Sequence, residues 1–177
     1  MELTFSNLLY FIAYVAPAFL FMSIILLGLL NANTIGCAMY LTTTLIAYGI
    51  GYGMQKAINQ ISPGPKHAVC SVFGDNLFMS PSLSSLLIMS SFGFLLFPFI
   101  VGGDMNTYIP LGSFILIMWI IDFYVKMKHS CTNGLGVFFG SFTGLSVGVG
   151  ISAFCYYVLK KEGLLLRNAA TSNKVKC

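Results

Sequence analysis

Two polar stretches interrupt an otherwise apolar chain, and they hold most of the side chains able to do chemistry. The first, residues 56–85, carries Lys56, Lys66, His67, Asp75 and the run Pro81-Ser82-Leu83-Ser84-Ser85. The second, residues 126–133, carries Lys126, Lys128, His129 and Asn133. Ammonium groups, an imidazole and hydroxyls beside a helix N-terminus make the donor set of a phosphate site, because positive charge and backbone N–H groups both favour an anion. Each member also has a plainer role. A lone His at a helix junction commonly hydrogen-bonds a carbonyl, which is the ordinary reading of His129. His67 has no motif partner and reads as a surface residue. Asp122 is the costliest residue to place. It either reaches water at the polar end of its span or pairs with Lys126, four positions on along one helix face, and the pair is preferred.

The five cysteines form no CxxC pair, so neither a metal nor any other cofactor is expected. Cys70 and Cys131 fall in the two polar stretches. They suit a disulfide if that side of the membrane is oxidising, and two free thiols otherwise. Cys177 ends a basic tail and is a candidate for palmitoylation, although no CaaX box surrounds it.

The elements that must position these residues are membrane helices. Of 177 residues, 57% are hydrophobic and 8% charged, where a soluble domain carries about 25% charged. Mean hydropathy is +0.86. So few charges cannot build a water-exposed surface, and the chain reads as an all-α, polytopic membrane helical bundle of about five transmembrane helices. The net charge of +4 sits near the ends of apolar runs and in the tail. That is the pattern of interfacial anchors, and nucleic acid is not an expected partner. The first apolar run is too long for the apolar core of a signal peptide and shows no small-residue cleavage site.

A single transmembrane domain is expected over residues 1–160, with spans at about 8–30, 35–54, 82–102, 107–125 and 135–159, followed by a basic mobile tail over 161–177. Pro17 should kink the first span. Ser80 or Ser82 can cap the third, with Pro81 in its first turn. In the fifth, Gly136, Gly140, Gly144 and Gly148 recur every fourth residue and place a bare stripe along one face. Another helix of the same chain is the ordinary occupant of such a stripe, and a second copy the alternative. With five crossings, the N-terminus and both polar stretches share one side of the membrane. Lys plus Arg then divides four (Lys56, Lys66, Lys126, Lys128) against five (Lys160, Lys161, Arg167, Lys174, Lys176), which leans the tail toward the cytosol by a narrow margin.

The order of these elements resembles the type 2 phosphatidic acid phosphatase superfamily. That family has a Lys-x6-Arg-Pro motif leaving one helix, a Pro-Ser-Gly-His motif opening the next, and a Ser-Arg-x5-His-x3-Asp motif between the last two. Over residues 50–150, Pro65 matches the Pro of the first motif, with Gly64 in place of Arg and Lys56 one residue off the family spacing. Pro81-Ser82 matches the second motif, with Leu83-Ser84 in place of Gly-His and Ser85 following as in the family. His129 and Asn133 keep the His-x3-Asp spacing with Asn for Asp. Phe123 stands at the third-motif Arg position, where Lys126 and Lys128 are the nearest cations. The stretch from Pro65 to Cys70 and then Pro81-Ser82 looks most like superfamily members of large nucleocytoplasmic DNA viruses.

The resemblance implies a phosphatase-like helical core with vestigial site positions Lys56, Pro65, Pro81, Ser82, Ser84, His129 and Asn133. The substitutions argue against turnover. Ser84 cannot protonate a leaving alkoxide as an imidazolium does. Asn133 cannot stabilise a positive His129. Lysines do not replace bidentate arginine contacts to phosphate. The expected function is that of a non-catalytic structural membrane protein within a larger assembly, such as a virion inner membrane beneath a capsid or a host endoplasmic-reticulum-derived membrane. Its expected partners are the bilayer, anionic lipid headgroups, and other membrane or capsid-associated proteins. The alternatives are an active lipid-phosphate phosphatase with unusual residues and a small accessory subunit of an organellar membrane complex.

Overall fold

The computed structural model describes residues 5–30, 33–59, 81–102, 105–128 and 132–158. Five helices occupy nearly all of them: α1 Phe5–Leu30, α2 Thr34–Asn59, α3 Leu83–Gly102, α4 Met105–Lys128 and α5 Gly134–Val158. The shortest has 20 residues, and at about 1.5 Å per residue it matches a hydrocarbon core of about 30 Å. All five are long and apolar enough to cross a membrane, and the chain is a multi-pass integral membrane protein.

Several helices outrun the apolar runs that announce them. α1 begins at Phe5 and runs unbroken through Pro17. α2 continues past the apolar run through Gln55 and Lys56 to Asn59, and α4 reaches Lys128. Hydropathy marks only the part of a helix in hydrocarbon. The backbone has the same need for internal hydrogen bonds as it enters the headgroup layer, and long polar side chains let it continue there.

The helix starts are set by side chains and carbonyls. The Gly36 N–H donates to Asn33 Oδ1 (2.8 Å), capping α2. Ser82 caps α3, accepting the Ser85 N–H on its Oγ (3.4 Å) and the Leu86 N–H on its carbonyl (3.0 Å). Pro81 therefore lies just outside the helix rather than in its first turn. The Asn133 carbonyl accepts the Gly136 and Val137 N–H groups at the start of α5 (2.8 and 3.2 Å).

α3 is the central helix: 61% of its span is buried, against 22–33% in the others. Its closest neighbour is α5, and the glycine stripe is the reason. A Cβ added at Gly140 would lie 2.7 Å from the Ser82 carbonyl oxygen, one at Gly144 would lie 2.1 Å from that of Leu86, and one at Gly148 would lie 2.2 Å from that of Ser90. Gly93 returns the contact, with the Leu145 carbonyl oxygen at 2.6 Å. Both helices advance four residues per contact in the same direction, so they run parallel with backbones touching. No β-carbon fits between them. Ala16, Leu20 and Ile24 of α1, Tyr40 of α2 and Ile115 of α4 complete the core around Ile88, Phe94 and Leu95. The other face of α5 turns Phe138, Phe139, Phe142, Phe154 and Tyr157 outward, as a helix facing lipid tails does.

Candidate functional site

The polar residues meet at one end of the bundle, where α2 and α4 end and α3 and α5 begin. Gln55 near the end of α2 donates its amide N–H to the Pro81 carbonyl (2.9 Å). The Ser82 N–H donates to the Gly136 carbonyl (3.1 Å). These two bonds fix the chain entering α3 against α2 and α5. They aim Ser82, Ser84 and Ser85 at the last two turns of α4, where Asp122 and Lys126 are buried on the inward face with Val125.

The five side chains are joined in one hydrogen-bonded circuit. Asp122 Oδ1 accepts from Ser84 Oγ (2.8 Å), and Oδ2 accepts from Ser85 Oγ (2.7 Å). Lys126 Nζ lies 3.3 Å from Asp122 Oδ2 as an i,i+4 ion pair, and it also donates to Ser82 Oγ and Ser84 Oγ. Ser82 Oγ donates to Ser85 Oγ (3.1 Å). An ammonium has three N–H donors, and Asp122, Ser82 and Ser84 are among the partners of Lys126. Each serine hydroxyl has a single proton, and each donates it within the circuit. One positive and one negative charge cancel in a space that excludes water, the condition under which a buried pair is tolerated.

This arrangement limits the chemistry available. An ammonium paired with a carboxylate has no lone pair to take a serine proton, unlike the neutral lysine of a Ser–Lys nucleophile pair. Ser84 spends its proton on Asp122. Among the described residues, no three His, Cys, Asp or Glu side chains come together as a metal-ligand set.

The structure brings together only part of what the sequence placed at one site. Pro81, Ser82 and Ser84 join Lys126. Lys56 is exposed on α2. Lys128 instead sits over the rings of Tyr10 and Tyr124, 5.6 and 6.0 Å from their centroids. The reason is rotational: Lys126 follows the inward Asp122 by four residues, whereas Lys128 follows the outward Tyr124 by four. Phe123 is exposed and stacks on Trp119. Asn133 is half-buried beside the start of α5. Pro65, Lys66, His67, Cys70, Asp75, His129, Cys131 and the 161–177 tail lie outside the described residues. The His129–Asn133 pairing and the Cys70–Cys131 bridge therefore have no structural description.

Sequence reasoning found the Asp122–Lys126 pair and missed its serine partners. A signal was present. A carboxylate within an apolar span needs donors, and Ser84 and Ser85 lie at the same end of the bundle as Asp122. Also missed were the Gln55–Pro81 bond and the Trp119 Nε1 donation to Ser141 Oγ (2.8 Å), which ties α4 to α5. Comparison of the chain with protein-family models, with curated proteins and with solved structures finds no match.

Proposed function

We propose that this protein is a non-catalytic structural membrane protein, a compact helical unit of a larger membrane assembly with a phosphatase-like order of elements. In this reading the Asp122–Lys126–serine circuit fastens helix ends and does not turn over a phosphate. The observation that carries it is how the cluster is paired: both Asp122 oxygens accept from serines, Lys126 is ion-paired with Asp122 and donates to Ser82 and Ser84, and the three serine protons go to Asp122 and Ser85. A phosphate would have to displace Asp122 from Lys126 and would leave a buried carboxylate unpaired. The parallel contact of α3 with α5 adds support. It consumes the glycine stripe inside the chain and leaves the aromatic face of α5 for lipid or a neighbour.

The larger assembly we have in mind is a virion inner membrane beneath a capsid, in keeping with the resemblance of the Pro65–Cys70 and Pro81-Ser82 stretches to superfamily members of large nucleocytoplasmic DNA viruses. Mild detergent extraction followed by identification of the co-purifying proteins tests this. Capsid or virion membrane components in fixed ratio to the chain support the assembly reading. Respiratory or other organellar subunits in fixed ratio would replace it with the accessory-subunit reading.

A further inference from the structure

A second feature lies on the lipid-facing side of the bundle, away from the serine cluster. α1, α2 and α3 enclose an apolar groove of about 320 Å³ at mid-span, bounded by Pro17 and Phe21 on α1, Leu41 and Leu45 on α2, and Ile88 on α3. Its polar side chains offer an incoming polar ligand little. The Tyr40 hydroxyl and Ser91 Oγ hydrogen-bond each other (2.8 Å), and Thr44 Oγ1 donates to the Tyr40 carbonyl (2.9 Å). The occupant must be apolar where it enters the groove.

α2 extends this groove toward the membrane surface. Leu41, Leu45, Tyr48, Tyr52 and Lys56 recur at intervals of three or four residues and share one helix face. Leu45, Tyr48, Tyr52 and Lys56 are exposed along it, and the two tyrosine rings stack with centroids 6.3 Å apart and planes 13° off parallel. Beside them, Gly49 and Gly53 leave bare backbone: a Cβ at either would meet nothing within 4 Å. Glycine inside a helix costs about 1 kcal/mol against alanine, and neither of these two is needed for packing within the chain. Lys56 ends the track. Asp122 is the one acidic residue among the described residues, and it belongs to Lys126.

The dimensions match one leaflet. At about 1.5 Å per residue, the rise from Leu45 to Lys56 is about 16 Å, and half of a hydrocarbon core of about 30 Å is about 15 Å. The geometry points to a binding site for one anionic phospholipid: an acyl chain fills the α1–α2–α3 groove, the chain and glycerol pass along Tyr48 and Tyr52 over the bare backbone, and the Lys56 ammonium pairs with the headgroup phosphate. Stacked amphipathic tyrosines between the apolar groove and a terminal lysine suit that sequence of apolar, intermediate and anionic chemistry.

The test uses the full-length protein in phosphatidylcholine vesicles doped with phosphatidylserine carrying a photoactivatable diazirine on one acyl chain, with adducts mapped by mass spectrometry. Adducts are expected to concentrate on residues 41–48 and around Phe21. A phosphatidylcholine probe with the same chains should label that region roughly fivefold less, the worth of about one lysine near an anionic headgroup. Lys56→Gln should abolish that preference, while Lys128→Gln, a lysine at the same membrane face but off the groove, should leave it intact. Gly49→Leu should suppress groove labelling without lowering the unfolding temperature, because a Cβ there meets nothing within 4 Å. Adducts spread evenly over all exposed faces, equal loss in both lysine variants, or a protein–protein crosslink seated in the groove would each overturn the assignment.

Discussion

Replacing Asp122 and Lys126 singly and together measures what the buried circuit contributes. Asp122→Leu leaves Lys126 charged, buried and facing two serine oxygens, and it strips the acceptor from Ser84 and Ser85. Removing one partner of a buried pair costs about 3–5 kcal/mol. Lys126→Met leaves a carboxylate that still accepts from Ser84 and Ser85 at 2.8 and 2.7 Å, so its cost should fall near the low end, about 3 kcal/mol. The double variant removes both charges and replaces them with apolar volume. Its remaining penalty is the serine hydroxyls left without an acceptor, about 2 kcal/mol in all. The two single losses sum to about 6–8 kcal/mol on these values, so the double variant should recover about 4–6 kcal/mol of that sum. Unfolding of the purified protein by denaturing detergent in mixed micelles, followed by the fluorescence of the sole tryptophan, Trp119, reads all four proteins. Its indole bridges α4 and α5, so its signal reports the end of the bundle at issue. Losses that add within about 0.5 kcal/mol would refute the reasoning and mean that water, rather than the partner, satisfies each charge.

Other outcomes follow from single contacts. Gly144→Ala should destabilise by about 1–3 kcal/mol, because its Cβ would sit 2.1 Å from the Leu86 carbonyl oxygen and force α3 from α5. Gly150→Ala, on the same helix with nothing within 4 Å of the new carbon, should be neutral or stabilise by up to about 1 kcal/mol; the same unfolding titration compares the two. Ser141→Ala should cost about 1–3 kcal/mol and shift Trp119 emission, since it strands a part-buried indole N–H, whereas Ser146→Ala, whose exposed hydroxyl bonds only the Phe142 carbonyl of its own helix, should leave both readouts unchanged.

What could be read from the sequence was whatever has a helical period. The five spans follow from apolar runs of membrane length. The spacing of Gly136, Gly140, Gly144 and Gly148 announces a close neighbour, because four residues bring the chain back to nearly the same face. Asp122 and Lys126 announce each other for the same reason. The sequence could not say which helix lies on the glycines, nor that α3 meets them in parallel with Ser82, Leu86 and Ser90 in step. That choice depends on how all five helices pack. The serine cluster escaped for a related reason. Ser84 and Ser85 reach Asp122 only once α3 has a fixed rotation and depth relative to α4, and the Gln55–Pro81 and Ser82–Gly136 bonds supply both. Lys56 and Lys128 looked like phosphate ligands because they share a membrane face with Ser82 and Lys126. Their rotation about α2 and α4 points them elsewhere, and loop-side proximity carries no information about rotation.

Release of inorganic phosphate from phosphatidate vesicles by the purified protein, compared with its His129→Ala variant, tests most directly the proposal that this is a non-catalytic structural membrane protein. The account predicts that both release no more phosphate than protein-free vesicles do. Turnover by the unaltered protein that disappears with His129→Ala would contradict it and establish a working phosphatase.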